Sequence, residues 1–107
     1  MNLKISLVIP IFNEEGNIIS LIDELVPIVD KIGGEIIIVD DHSNDSSANL
    51  VLKKKSSENV KIILLQHSKQ YGQSAGLLSG ITYAQNDVII TLDGDGQNDP
   101  KDIIPML

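Results

Sequence analysis

Two carboxylates one residue apart, Asp93 and Asp95, stand in the stretch TLDGDGQND at positions 91–99, directly after the apolar triplet Val88, Ile89 and Ile90. Carboxylates are too costly to desolvate in the middle of a buried strand, but at its carboxyl end they can face water or a cation. Alternate residues of extended chain point the same way, which lets Asp93, Asp95 and Gln97 share one side. Oxygen ligands so placed make a candidate site for a hard cation. Gly94 and Gly96 leave the backbone open to an approaching ligand. Taken alone, the same letters also describe a turn rich in Asp, Gly and Asn that closes a strand.

A second acidic group, Asp40, Asp41 and Asp45, joins Asp93, Asp95, Asp99 and Asp102 to hold seven of the fifteen acidic residues. For either group by itself a solvated acidic face is the plain reading. The formal charge of -7 argues against nucleic acid as a partner, because phosphate backbones are bound by basic surfaces. All eight basic residues are lysines. Without a guanidinium fork, a diphosphate ligand must rely on a metal, on backbone amides or on lysine. The absence of cysteine excludes disulfides and thiolate metal sites.

The elements that must position these groups follow from hydrophobic patterning. At 107 residues and 42% hydrophobic, the chain suits one small domain, 1–107. Residues 5–10 form an apolar run of strand length, with Pro10 expected to end it. Ile18, Leu21, Ile22, Leu25, Val29 and Ile32 have helical spacing, with Asn17 as a candidate cap, Pro27 as a kink or restart, and Gly33-Gly34 as the break. Residues 35–40 carry the β-branched run of a strand buried on both faces. A turn at 41–45, a short helix at 46–55, a third strand at 60–66, a helix over about 73–85 and a fourth strand after Asp87 complete the alternation. Pro100 suits the first turn of a last helix.

Four near-continuous apolar strands alternating with helices predict an α/β fold, a Rossmann-like open parallel sheet of order 3-2-1-4 with helices on both faces. That order creates a switch point between the first and fourth strands, where open α/β sheets bind ligands. Residues 11–15, 40–44 and 93–99 are delivered to that edge. The acidic groups then converge, and a divalent cation or sugar hydroxyls would relieve their repulsion.

The motifs IPIFNEEGNI, EIIIVDDHSND, YGQSAGLLSGI and DVIITLDGDGQNDP resemble, in order and spacing, the N-terminal nucleotide-binding half of the GT-A fold, family 2 glycosyltransferases. Within them the chain is most similar to the polyprenyl-phosphate and dolichyl-phosphate sugar transferases. The resemblance implies that Pro10, Phe12, Glu14, Asp40, Asp41, Gln73 and Asp93 serve the nucleotide, with Asp41 near the base or ribose. It assigns Asp93 and Asp95 to the catalytic Asp-x-Asp motif, and Asp93, Asp95 and Gln97 to Mg or Mn. His42 stands where glycine is common in that family, and Gln70 where asparagine is usual.

The implied reaction is inverting transfer of a sugar from a UDP- or GDP-sugar to an acceptor, a polyprenyl phosphate or a glycan. A phosphate acceptor is already ionised near neutral pH and needs no general base. The chain is shorter than such enzymes, and the acceptor half is expected to be absent. The alternative is a truncated, non-catalytic nucleotide- and metal-binding module. A homo-oligomer is expected through the face left bare, around Ile89, Ile90, Ile103, Ile104, Met106 and Leu107. The longest strongly apolar run, residues 5–12, is too short to span a bilayer, so a cytoplasmic chain is expected, with the full-length protein at the membrane's cytoplasmic face.

Rival chemistries fail on the letters. An EF-hand starting at Asp93 would need Gly at Asn98 and Glu at Ile104. A dinucleotide-dependent oxidoreductase would need a glycine-rich turn after the first strand, where IFNEEGN stands. An Asp-x-Asp phosphatase would carry its nucleophile after that same strand. Gly72, Gly76, Gly80 and Ala84, four residues apart, predict a helix lying close on the sheet, more readily than a phosphate at its start. His42 and His67 are expected in solvated loops, and Lys53, Lys54 and Lys55 at an exposed helix end.

Overall fold

A computed structural model of the chain describes residues 4–93. Asp95, Gln97, the helix expected after Pro100 and the residues 103–107 expected to associate lie outside the described residues. The elements alternate as β1 (Ile5–Ile11), α1 (Ile18–Ile32), β2 (Gly34–Asp40), α2 (Ser47–Ser57), β3 (Lys61–Gln66), α3 (Gln73–Tyr83) and β4 (Val88–Thr91). All strand pairs are parallel, and the sheet order is β3-β2-β1-β4, as the alternation predicts.

Side-chain alternation divides the core between the two faces of the sheet. On one face Ile5, Leu7, Ile9, Ile36, Ile38 and Ile62 pack with Ile18, Leu21, Ile22, Leu25 and Val29 of α1 and Val51 of α2. On the other, Val8, Ile37, Val39 and Ile63 meet Leu77 and Ala84 around α3. Helix α3 sits low on that face because Gly76 and Gly80 have no side chain to hold it away. A Cβ on Gly76 would lie 3.0 Å from the Pro10 Cβ, and one on Gly80 would lie 2.3 Å from Val8 Cγ1. The expectation of a close-packed helix is met.

Two expectations about proline need correction. Pro10 does not end the first strand, which continues to Ile11 with Pro10 paired to Val39. Val8 accepts from Leu92 N on the β4 side, so Pro10, two residues on, also turns its backbone toward β4. The β4 ladder stops at Val8 and Thr91, so no N–H is required of Pro10. Pro27 does not restart the first helix, which runs unbroken from Ile18 to Ile32. Tertiary burial of Leu21, Leu25 and Val29 outweighs one missing helical hydrogen bond.

The end of the sheet opposite the ligand edge carries its own polar tie. Glu35, buried between β1 and the end of α3, accepts from Ser6 Oγ at 2.7 Å and Gln85 N at 3.0 Å. Lys61 Nζ lies 3.7 Å from its other oxygen. Among the described residues no helix is long and apolar enough to cross a membrane.

Candidate active site at the carboxyl edge of the sheet

The loops leaving β1 and β2 are stitched together by their own side chains. Asn13 N donates to Ser43 Oγ, and Asn44 N donates to Asn13 Oδ1, at 2.9 and 2.8 Å. Glu14 N donates to Ser47 Oγ at 2.8 Å. Glu15 N donates to Asp45 Oδ2 while Ser46 N donates to Glu15 Oε2, at 3.2 and 3.0 Å. Exchanges of this kind satisfy the orphan amides of two loops at once and fix both against one another. Phe12 is held at the surface of this edge, 36% exposed. Asn17 is at the N-cap position but makes no side-chain cap bond; its amide instead donates to Glu14 Oε2 at 3.0 Å.

The first acidic group is satisfied from within, by amides and hydroxyls. Asp40 Oδ1 accepts from Ser43 N at 3.1 Å and from the Ser43 hydroxyl. Asp45 accepts from Ser47 N and Ser47 Oγ, at 2.9 and 2.6 Å. Burial opposes ionisation of Asp45, yet the Ser47 hydroxyl and the amides facing it hold its carboxyl below the ordinary range. Asp41 turns toward the next loop and accepts from Tyr71 N and Gly72 N, both at 2.8 Å, with His67 Nδ1 at 2.9 Å. Burial again opposes its charge, and the Tyr71 amide, His67 and the Gly72 amide outweigh it and lower its pKa. The start of α3 is therefore occupied by a carboxylate of the protein itself, which leaves those two amides committed.

His67 corrects the expectation of a solvated loop histidine. Its side chain is only 12% exposed, held between Asp41 and Ser79 and edge-on to Tyr71. The letters around it are polar, and only the crossing of the β3 loop beneath α3 buries the ring. His42 is exposed as expected but has φ 64, and Asn13 has φ 54. A left-handed conformation is the physical reason that glycine suits the position of His42. His42→Gly is therefore expected to stabilise the fold by about 1 kcal/mol, measured by urea unfolding. Of the three lysines placed at an exposed helix end, Lys53 and Lys55 are exposed, while Lys54 pairs with Asp23 and Glu58.

At the far side of the edge, Leu92 N continues β4 by donating to Val8 O at 3.0 Å, which sets Asp93 just beyond the sheet. Gln73, the first residue of α3, donates from Nε2 to Asp93 Oδ1 at 3.1 Å. Two residues assigned to the nucleotide, twenty positions apart in the sequence, are thus in contact. Pro10 is buried under Gly76, Glu14 is half-buried, and Phe12 and Gln73 are exposed at this edge. Asp93 offers a hard oxygen ligand at a strand end, a donor suited to Mg or Mn. Among the described residues no group of three or more His, Cys, Asp or Glu gathers around it, and Asp95 and Gln97 lie outside them.

Residues 6–107 match the family described as Glycosyl transferase family 2. The chain belongs to glycosyl transferase family 2. Among curated family members it is 38% identical over 102 residues to the undecaprenyl-phosphate 4-deoxy-4-formamido-L-arabinose transferase of Salmonella paratyphi B, covering 94% of this chain. It spans 31% of that relative's length, about a third. In fold, this family 2 chain is similar to S. aureus TarS in complex with UDP-GlcNAc, with TM-score 0.83 and 21% identity over 97% of this chain and 30% of TarS. It is similar also to the mannosyltransferase PcManGT of Pyrobaculum calidifontis in complex with GDP-Man and Mn2+, with TM-score 0.80 and 17% identity over 89% of this chain and 28% of that one. The fold is thus that of the GT-A glycosyltransferases the motifs resemble.

Proposed function

We propose that this chain is the nucleotide-sugar-binding part of an inverting glycosyltransferase that moves a sugar from a UDP- or GDP-sugar to a polyprenyl phosphate. The observation that carries the reading is the contact of Gln73 with Asp93 at the switch point between β1 and β4, in a chain of this family. The acceptor class is supported by the undecaprenyl-phosphate transferase relative, and the donor class by solved neighbours holding UDP-GlcNAc or GDP-Man. Because the acceptor is a lipid phosphate, the whole protein acts at a membrane surface.

In this reading Phe12, Glu14 and the stitched loops line the base and ribose side, with Pro10 beneath them and Asp40 and Asp41 holding the loops in place. Gln73 orients Asp93 toward the diphosphate. Asp93, Asp95 and Gln97 would hold Mg or Mn, which when bound would neutralise charge on the departing nucleoside diphosphate. An ionised acceptor oxygen attacks the anomeric carbon as its bond to the diphosphate oxygen breaks, and the electron pair leaves with the nucleotide. Association of copies is part of this proposal, supported by the exposure of Leu78, Ile81 and Tyr83 on α3 and of Ile89 on β4, whereas Ile90, also expected to lie bare, is half-buried against the core.

Calorimetric titration with UDP and GDP, with Mn and then with chelator, tests the reading. Binding is expected to tighten about tenfold or more with the metal, and Asp93→Asn to remove that dependence. Equal affinity in chelator would overturn the metal assignment, and no binding of either nucleotide would overturn the function.

A further inference from the structure

Asp41, His67 and Ser79 stand in a line with the acid, base and hydroxyl order of a serine hydrolase. His67 Nδ1 is 2.9 Å from Asp41 Oδ1, and Nε2 is 3.0 Å from Ser79 Oγ. Acyl transfer also requires amide donors aimed at the developing oxyanion. The amides of Ser79 and Gly80 belong to the hydrogen-bond ladder of α3, and those of Tyr71 and Gly72 are taken by Asp41. Nucleophilic chemistry therefore lacks half of its machinery, and the line has another use.

What it holds is the loop between β3 and α3. An ionised Asp41 can only accept, so Nδ1 carries the proton of the imidazole, and Nε2 of the neutral ring accepts from the Ser79 hydroxyl. This orients the carboxylate against the amides of Tyr71 and Gly72, with the Tyr71 ring edge-on to His67 at 5.3 Å between centroids. His67 N itself donates to Asp40 O at 2.9 Å, which anchors the near end of the loop to β2. Gly72, with φ 99, then turns the chain into α3, and the next residue is Gln73, in contact with Asp93. Each step from Ser79 to Asp93 is either a hydrogen bond or a peptide link.

We propose that His67 is a positioning residue of the sugar-nucleotide site, locking Asp41 against the Tyr71 and Gly72 amides so that α3 begins where Gln73 meets Asp93. The proposal rests on the nucleotide-binding reading above. His67 does not touch the substrate; it sets the loop from which a ligand-facing residue departs.

Three variants test it in the full chain. His67→Ala removes both ring contacts, His67→Asn restores a donor near the Nδ1 position, and Ser79→Ala removes only the far bond. In His67→Ala, hydrogen exchange of the Tyr71 and Gly72 amides is expected to speed about tenfold, the equivalent of one net hydrogen bond. UDP or GDP affinity in the presence of Mn falls by a similar factor, and His67→Asn recovers most of both. Nitrogen NMR at mildly alkaline pH is expected to show the neutral ring protonated at Nδ1. Should His67→Ala fail to fold, Ser79→Ala carries the test with a smaller change in the same direction. Unchanged exchange in folded variants, a ring protonated at Nε2, or labelling of Ser79 by a fluorophosphonate would overturn the proposal. If the wild-type chain binds neither nucleotide, the sugar-nucleotide role falls with the reading it rests on, while exchange and tautomer still decide whether the latch exists.

Discussion

Asp41→Ala is expected to destabilise the fold by about 3 kcal/mol, because it leaves two part-buried amides and the His67 ring without their acceptor. The same carboxylate makes the ligand edge sensitive to acid. The Asp41 and Asp45 pKa values lie below the ordinary 3.8 in the folded chain, so the stability each contributes is complete above that value and is lost as pH falls through the folded one. Thermal unfolding followed downward from neutral pH is expected to show a plateau and then a fall below pH 3.8. Asp41→Asn should begin lower and fall less steeply over that interval. A variant whose profile runs parallel to the wild type would show that Asp41 is not ionised against those amides.

Replacing glycines one at a time is expected to give a graded series set by what each new Cβ meets. Gly34→Ala is the most severe, at about 4 kcal/mol, with left-handed strain and backbone overlap each contributing about 2 kcal/mol. Its Cβ would fall 2.0 Å from the carbonyl oxygen of Ile5, an atom held in the sheet, at a φ of +152. Gly80→Ala follows at about 1.5 kcal/mol, since overlap with the buried Val8 and Val39 side chains is partly offset by better helix propensity. Gly76→Ala, at 3.0 Å from Pro10 Cβ, should cost less, and Gly16→Ala, with nothing within 4 Å, should be close to neutral. Chemical denaturation ranks all four. Because Gly80→Ala lifts α3, it should also weaken nucleotide binding through Gln73, an effect that Gly16→Ala lacks. Equal losses across the series would mean that close approach of helix to sheet does not govern this face.

How the chain folds was legible because its signals are local and repeated. Strands such as EIIIVD carry an unbroken run of four apolar residues between their charged ends, which only a sheet covered on both faces accommodates, and the glycines at four-residue spacing foretold how closely α3 would lie. The carboxyl-edge location of Asp40, Asp41 and Asp93 followed from the alternation and from sheet order alone. Asp93 and Gln73, twenty residues apart, were both assigned to the nucleotide, but that they touch depends on how α3 crosses back over the sheet to β4.

Other properties exist only in three dimensions. Asp41 reads as one acid among several in DDHSND, yet it alone turns toward the β3 loop, where two amides and an imidazole converge on it. His67 reads as polar and solvated, and becomes buried because α3 passes over it and supplies Ser79 twelve residues later. Pro10 reads as a strand end, and is tolerated inside β1 because its neighbour β4 has already finished. Periodicity and local chemistry therefore specify which residues reach the ligand edge. The direction each side chain takes there is set by partners distant in the sequence, since a buried polar group is stable only where the assembled fold brings it a donor or an acceptor.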